Sequence, residues 1–103
     1  MIKKLFHKFG ARQTIMDEIK FPSKKEAKRY EQLKELKKLG DVIFFLRQVP
    51  FHLPGNVKYV CDFMVFWSNG EITIEDVKGM KIEPYMTKKK ILEALYPIEI
   101  TEI

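Results

Sequence analysis

Two apolar runs joined by a short polar turn constrain the fold of this chain more than any other feature. Residues 59–66 (YVCDFMVF) hold one acid among seven apolar residues, and residues 71–79 (EITIEDVKG) alternate apolar and polar residues. Alternation with a period of two is typical of a β-strand, and a nearly continuous apolar run is typical of a strand covered on both faces. The turn Trp67-Ser68-Asn69-Gly70 between the runs therefore predicts a β-hairpin whose two arms carry buried charge.

The length of the hairpin loop decides which charged side chains meet. A two-residue loop, Asn69-Gly70, places Asp62 opposite Val77. A three-residue loop, Ser68-Asn69-Gly70 with a left-handed glycine, places Asp62 opposite Asp76. In that register the two Cβ atoms lie about 4.5–5.5 Å apart, which is destabilising for like charges unless a cation lies between them. The sequence leaves both registers open, and the second predicts a site for a divalent metal.

A lysine extends this pattern. Lys78 lies two residues beyond Asp76 and therefore on the same face of the strand. Two carboxylates that hold a hard cation, together with a lysine that orients water or neutralises charge, form a site for phosphodiester hydrolysis. The alternative is an ordinary ion pair between Asp62 and Lys78, with Asp76 merely ending the strand. Because a buried ion pair is usually no more stabilising than apolar residues of the same volume, the metal-site hypothesis accounts for more of the pattern.

Length and charge set the scale of the protein and the class of its partners. A chain of 103 residues suffices for one domain with a single core, so we expect a single domain over residues 1–103, with residues 1–14 as a basic N-terminal arm. Residues 1–38 carry 12 Lys and Arg against 5 acids, whereas residues 39–103 carry 7 against 9. Lysines make up 16 of the 19 cations, which favours contacts to phosphates over contacts to base edges.

The N-terminal arm has an apolar stripe of its own at helical spacing, formed by Ile2, Leu5, Phe6 and Phe9. So short a helix is marginal in isolation, and we expect this stripe to cross between the subunits of a homodimer. The single cysteine, Cys61, excludes an internal disulfide and indicates a reducing compartment. No apolar run is long enough to span a membrane. We therefore expect a cytoplasmic protein of a bacterial or phage-infected bacterial cell.

A helix is predicted over residues 24–39. Ser23 and Glu26 form a capping box, and Gly40 ends the helix. Its predicted buried stripe consists of Ala27, Tyr30, Leu33, Leu36 and Leu39. Glu26 has two interpretations, because it can reach back to the Ser23 amide or point inward with the stripe.

The remaining apolar segments predict a strand, a second helix and a final strand. Residues 42–49 form a strand that Pro50 ends, and a loop follows over residues 51–56. Gln48 lies near the strand end where the acids collect. Residues 84–96 form a helix, and residues 98–102 form a short last strand. The expected apolar side of this second helix consists of Tyr85, Ile91, Leu92 and Leu95.

Cations in the first half of that helix also need a partner. The helix dipole disfavours positive charge there, and a bound phosphate would remove the penalty. Lys88 lies on the apolar side and is the stronger candidate for contact, whereas Lys89 and Lys90 can equally form a solvated face.

The predicted order of helix, three antiparallel strands, helix and strand resembles the restriction-endonuclease-like core of the PD-(D/E)XK nucleases. Segments 21–33 (FPSKKEAKRYEQL), 59–63 (YVCDF) and 76–79 (DVKG) are similar to those of small phage and prophage proteins of that superfamily. The resemblance covers roughly residues 15–103 and implies a mixed α/β fold of the α+β kind. The superfamily more often has Glu at the position of Asp76.

The resemblance also implies roles for individual residues. Glu26, Asp62 and Asp76 would be acidic ligands of Mg²⁺, with Mn²⁺ as a substitute, and Val77 would contribute its backbone carbonyl. Lys78 would be the catalytic lysine. Basic residues of the two helices would contact DNA, namely Lys24, Lys25, Lys88 and Lys90.

The activity that the resemblance implies is Mg²⁺-dependent endonuclease cleavage in phage recombination or DNA processing. Small phage members of the superfamily include Holliday-junction resolvases, so branched DNA is the leading expected substrate. Two alternatives remain open. The chain can be a non-catalytic DNA-binding module, or it can be a subunit of a larger phage complex.

Overall fold

The computed structural model describes residues 14–77 and 83–103, and it has two helices and two β-sheets. The predicted arm, except for Thr14, and the predicted catalytic Lys78 lie outside the described residues. In chain order, the elements are β1 (Thr14–Met16), β2 (Ile19–Phe21), α1 (Lys24–Leu39), β3 (Val42–Leu53), β4 (Val57–Trp67), β5 (Ile72–Asp76), α2 (Glu83–Leu95) and β6 (Ile100–Glu102).

The larger sheet has the strand order β3-β4-β5-β6. The first three strands are antiparallel, and β6 pairs parallel to β5. Neighbouring residues of β4 contact different helices, since Phe63 belongs to the core under α1 and Met64 packs against the core under α2. Because successive side chains of a strand point to opposite faces, α1 and α2 cover opposite faces of the sheet. The predicted mixed α/β architecture is therefore confirmed.

The central hairpin has the three-residue loop. The Trp67 amide donates to the Glu71 carbonyl at 2.9 Å, and the Gly70 amide donates to the Trp67 carbonyl at 3.0 Å. Gly70 has a φ of 94°, in the left-handed region that glycine adopts without a steric penalty. In the resulting register, Phe63 pairs with Glu75. Of the two registers that the sequence left open, the one set by the three-residue loop is correct.

Helix α1 has the predicted bounds and caps. The Ser23 hydroxyl oxygen accepts from the Glu26 amide at 3.1 Å, and Gly40 closes the helix with a φ of 91°. The prediction that Leu39 is buried is wrong, because its side chain is 74% exposed. Leu39 follows Tyr30 by nine residues, or two and a half turns, and so lies on the other side of the helix.

Strand β3 is longer than predicted. Pro50 does not end it, and pairing with β4 continues from Pro50 to Leu53. β3 is an edge strand with one neighbour, and a proline is tolerated there because one side of the strand needs no hydrogen-bond donor. Gln48, in the middle of the strand, has a φ of 53°.

The β1–β2 hairpin was not predicted. Its turn consists of Asp17 and Glu18, with φ values of 52° and 64°. Both are left-handed, as in the tight turns that normally use Asn-Gly or Asp-Gly, so the usual sequence signal is missing. Met16 and Ile19 anchor this hairpin to the core under α1.

Helix α2 begins and ends one residue earlier than predicted, and β6 is two residues shorter at its start. Tyr85 and Leu92 are buried, but Ile91 and Leu95, which were predicted to join them, are exposed. Tyr85 and Leu92 are about two turns apart on one line of the helix, and Ile91 is rotated from that line by one position. Among the described residues, no helix is long and apolar enough to cross a membrane.

Candidate acidic site at the end of the central hairpin

The two acids of the central hairpin lie where β5 ends. The register that pairs Phe63 with Glu75 places Asp62 opposite Asp76 when it is continued by one residue. Asp76 is completely buried, and Asp62 is 8% exposed. The three consecutive residues 61–63 are all buried, as expected for a strand covered on both faces. The prediction that Asp62 lies in a covered strand is therefore confirmed, whereas a contact between Asp62 and Asp76 stays a prediction.

Both carboxylate oxygens of Asp62 have donors nearby. Oδ2 accepts from the Val77 backbone amide at 2.7 Å, and Gln48 Nε2 lies 3.4 Å from Oδ1. The first contact is short and charge-assisted, which makes it the stronger of the two. It fixes the backbone of Val77, the residue directly after Asp76, against the opposite strand.

Glu26 reaches the same place from α1. Its side chain is 2% exposed, and its Oε2 atom accepts from Gln48 Nε2 at 3.3 Å. Arg47 Nη2 lies 3.7 Å from the same oxygen. The inward orientation of Glu26 is thus confirmed. The Gln48 side-chain amide bridges Glu26 and Asp62, which come from different elements.

The backbone of Gln48 is part of this arrangement. Its left-handed conformation is uncommon for a residue other than glycine and costs on the order of 1–3 kcal/mol. Strain of this kind persists only where the surrounding structure maintains it, and it concentrates at functional sites. The position of a polar residue near a predicted strand end pointed to Gln48, but nothing in the sequence indicated this conformation.

Asp76 is held by a residue that the sequence did not indicate. The Tyr59 hydroxyl donates to Asp76 Oδ2. Burial, followed by this hydrogen bond, raises the pKa of Tyr59 well above its usual range, so the phenol stays protonated and acts as a donor. Burial and a hydrogen bond to Glu102 likewise raise the pKa of Tyr85, whose ring centroid lies 6.3 Å from that of Tyr59.

A fourth buried acid, Glu75, belongs to a different interaction. Arg29 binds it through two hydrogen bonds, with Nε 2.8 Å from Oε1 and Nη2 2.7 Å from Oε2. Glu75 directly precedes Asp76 and therefore points to the opposite face of β5, toward α1. The period of the strand could have indicated that face, but no local signal identified Arg29 as the partner. This ion pair fastens α1 to β5 beside the acidic site.

The donors at this end of the sheet suit a hard cation chemically, since carboxylate and carbonyl oxygens are the ligands that Mg²⁺ prefers. Within residues 14–77 and 83–103, however, no three His, Cys, Asp or Glu side chains are grouped closely enough to hold one metal ion. Glu26 and Asp62 are linked through Gln48, while Asp76 contacts Tyr59. The structure thus links Glu26 to Asp62, while Asp76, which points away from α1, is not gathered with them around one point.

The predicted DNA-contacting lysines lie on two different helices. Lys24 and Lys25 are exposed in the first turn of α1, and on α2 Lys88 is half-buried and Lys90 is exposed. Lys89, between these two, lies 3.5 Å from Glu102. Because the helices cover opposite faces of the sheet, these lysines form two separate basic surfaces.

The fold and this site together define a class of mixed α/β protein in which a buried acid from a helix and a buried acid from a hairpin share one side-chain amide on a four-stranded sheet. The chain belongs to the family described as "Protein of unknown function (DUF1064)", which it matches over residues 6–102. No curated protein matches the chain. The family description names no activity, so a functional conclusion depends on the site.

Proposed function

We propose that this protein is a Mg²⁺-dependent DNA endonuclease with a restriction-endonuclease-like core, acting in the bacterial cytoplasm on branched DNA. The observation that carries the proposal is the meeting of Glu26 and Asp62 at one side-chain amide, with Asp76 opposite Asp62 in the hairpin register. Buried acids are expensive in free energy, and such groups concentrate at functional sites. Their residue types and order along the chain match the nuclease pattern that the sequence resembles.

In this proposal the residues divide into ligands and groups that position them. Glu26, Asp62, Asp76 and the Val77 carbonyl would hold the ion, with Mn²⁺ as a substitute for Mg²⁺. When bound, the ion supplies polarisation of the scissile phosphate and a more acidic water. Lys78, outside the described residues, would stabilise the negative charge that develops on the phosphate.

Two neutral side chains act on the ligands through hydrogen bonds. Gln48 orients Glu26 and Asp62 together, and Tyr59 orients Asp76. Both donors are neutral, so they fix the carboxylates without competing with a metal for charge. Partners of this kind typically change metal affinity or activity by about 10–100-fold when they are lost.

The direct test measures cleavage of labelled four-way, flap and linear DNA with Mg²⁺, with Mn²⁺ and with EDTA. Asp62→Asn and Asp76→Asn, which keep the side-chain shape, should each reduce the cleavage rate more than about 100-fold, a loss on the scale of an essential electrostatic group. Asp41→Asn is the matched control, because Asp41 is an exposed acid at the far end of α1, and it should cleave like the wild type. Normal turnover by an Asp76→Ala/Lys78→Ala double variant would refute the site.

Glu26 can be tested separately, because capping and metal binding predict different losses. Glu26→Gln should weaken the increase in melting temperature that Mg²⁺ produces, since only binding to the folded state stabilises it. A residue that acted only as a cap would lower the melting temperature without metal and leave the Mg²⁺-dependent increase intact.

A second candidate function is a DNA-binding module without catalysis. The observation that favours it is that the acids are not gathered around one point in the described part of the chain. DNA binding without cleavage in either metal, and without any Mg²⁺-dependent increase in melting temperature, would support this alternative.

We also propose that the protein acts as a homodimer. A two-fold axis between two subunits provides one site for each of the two strands that are cut in a junction. On the face of the sheet that α2 covers, Phe44, Leu46 and Ile72 remain exposed, and Phe44 stacks on Phe66 at 4.3 Å. An apolar area of this kind suits the apolar stripe of a second copy's N-terminal arm. Sedimentation of the full chain and of a chain lacking residues 1–12 tests this, and a monomeric full chain at micromolar concentration, free and bound to junction DNA, would contradict it.

A further inference from the structure

A second feature of α1, outside the acidic site, has the properties of a binding site. A cavity of about 500 Å³ lies between α1 and β3. Two aromatic residues and three lysines line it, namely Tyr30, Phe45, Lys34, Lys37 and Lys38. The rings of Tyr30 and Phe45 meet edge to face with centroids 5.8 Å apart. The cavity therefore combines aromatic surface with positive charge.

Part of this cavity is fixed in place without any ligand. The Asp17 carboxylate, in the turn between β1 and β2, accepts hydrogen bonds from the Tyr30 hydroxyl at 2.8 Å and from the Lys34 ammonium. The hydrogen bond from Lys34, followed by that from Tyr30, lowers the pKa of Asp17, so the carboxylate stays ionised. Lys34 Nζ also lies 5.4 Å from the centroid of the Tyr30 ring. The unpredicted β1–β2 hairpin thus holds one wall of the cavity.

The charge of the cavity favours an anion. Asp17 offsets the charge of Lys34, but Lys37 and Lys38 are exposed, and no acid is among the residues that line the cavity in the described part of the chain. A ligand that satisfies both features carries phosphate groups and a flat ring. A nucleotide unit has this combination, and proteins bind single strands through aromatic platforms beside cationic grooves.

The cavity also lies on the α1 side of the sheet, close to Glu26 and Gln48 of the acidic site. Tyr30 follows Glu26 by one helical turn, which is a rise of about 6 Å. Phe45 precedes Gln48 by three residues of β3, which is about 10 Å of strand. At the 3.4 Å spacing of stacked nucleotides in one DNA strand, that distance corresponds to about three nucleotides.

We propose that this cavity binds an unpaired nucleotide of single-stranded DNA, with its base against Phe45 and Tyr30 and its phosphates at Lys37 and Lys38. This inference rests on the proposed function, because the bound strand is taken to be the substrate of the endonuclease. Bases inside a duplex are stacked and paired, so only an unpaired strand presents a ring to the cavity. The protein therefore selects branched DNA that has unpaired nucleotides within a few positions of the cut, such as flaps and splayed arms, over fully paired four-way junctions.

The test measures binding in EDTA by fluorescence anisotropy, with a labelled single strand and the duplex of the same sequence. Phe45→Leu keeps an apolar side chain of similar size but removes the aromatic face. It should weaken single-strand binding about 10-fold, in line with the loss of one base-stacking contact, and change duplex binding less than about two-fold. Phe45→Tyr keeps the ring and should retain single-strand binding.

The lysines are tested by salt dependence. Lys37→Ala/Lys38→Ala should reduce the slope of log K against log salt for the single strand by about 1.4, because each lost phosphate contact contributes about 0.7. Lys28→Ala is the matched control, since Lys28 is an exposed lysine on the same helix that does not line the cavity. It should leave the slope unchanged.

The outcomes separate this inference from the proposed function. Equal losses for single strand and duplex, or no loss in Phe45→Leu at an unchanged melting temperature, would overturn the nucleotide site even if the protein cleaves DNA. If Phe45→Leu weakens single-strand binding but the wild type cleaves no DNA in Mg²⁺ or Mn²⁺, the proposed endonuclease activity is refuted and the proposed nucleotide site is supported. If Phe45→Leu fails to fold, the lysine variant still decides. The expected decrease in the slope of log K against log salt supports the site, and an unchanged slope refutes it.

Discussion

At the scale of single residues, the ion pair between Arg29 and Glu75 has the clearest energetic consequence. Glu75 is almost fully buried, and Arg29 is its bidentate partner. Removing one member of a buried pair leaves the other charge without compensation, whereas replacing both by apolar residues is often tolerated. Urea denaturation should therefore show Arg29→Met destabilised by about 3–5 kcal/mol, and Arg29→Met/Glu75→Leu should recover much of that loss. A double variant less stable than the single one would contradict this account.

The Cys61 thiol gives a residue-scale prediction on pH. Cys61 is completely buried, and burial raises the pKa of its thiol to about 11. In the native protein it should not react with a disulfide reagent at pH 8, and it should react readily in urea, because the thiolate is the nucleophile. The unfolded chain loses this proton at lower pH than the folded one, so the contribution to stability is present below about pH 9 and is lost as the pH rises toward about 11. The free energy of unfolding of Cys61→Ala should fall less steeply than that of the wild type over this range.

At the scale of elements, the loop of the central hairpin sets the register that brings Asp62 opposite Asp76. A Cβ at Gly70 would meet no atom within 4 Å, so substitution there is opposed only by the left-handed backbone. Gly70→Ala should lower the free energy of unfolding by about 1–2 kcal/mol, and Gly70→Asn should lower it less, because asparagine tolerates this conformation. Gly40→Ala is the control, with the same backbone requirement and free space at the end of α1. Equal unfolding free energies for Gly70→Ala and the wild type would refute the left-handed loop.

The elements also show which parts of the fold the sequence could predict. The bounds of α1 follow from Ser23 and Gly40, which act locally, and such signals are visible in a sequence. The β1–β2 hairpin was missed because its turn, Asp17-Glu18, lacks the glycine that usually marks a tight hairpin turn. The exposure of Leu39 was missed because a series of apolar residues at every third position drifts around the helix, and by Leu39 it has reached the side opposite Tyr30.

The candidate site divides in the same way. Its acids could be selected because a lone Asp62 in an apolar run is conspicuous, and hairpin geometry limited its partner to two choices. The hydrogen bond from Tyr59 to Asp76 and the bridge through Gln48 depend on side-chain placement across separate strands. No local pattern encodes contacts of that kind, and only the packed structure reveals them.

At the scale of the whole molecule, the two helices present basic surfaces on opposite faces of the sheet, and salt dependence can tell which one faces duplex DNA. Reversing the charge of Lys88 and Lys90 together should reduce the slope of log K against log salt by about 1.8 if both contact duplex phosphates, since each contributes about 0.9. The same change at Lys24 and Lys25 is the comparison on α1. An unchanged slope in the α2 variant, with a reduced slope in the α1 variant, would move the duplex to the α1 face.

The parallel pairing of β6 has a consequence for how the protein is made. Glu102 pairs with Asp76, and the Ile103 amide donates to the Asp76 carbonyl at 2.9 Å. The strand that carries this acid is therefore completed by residues synthesised after it. Ribosomes add about 5–20 residues per second, so the 27 residues from Asp76 to Ile103 take roughly 1–5 s to synthesise. During that interval the nascent chain lacks β6, the strand that pairs with β5 at Asp76. Any activity of this site therefore begins only after β6 has been translated.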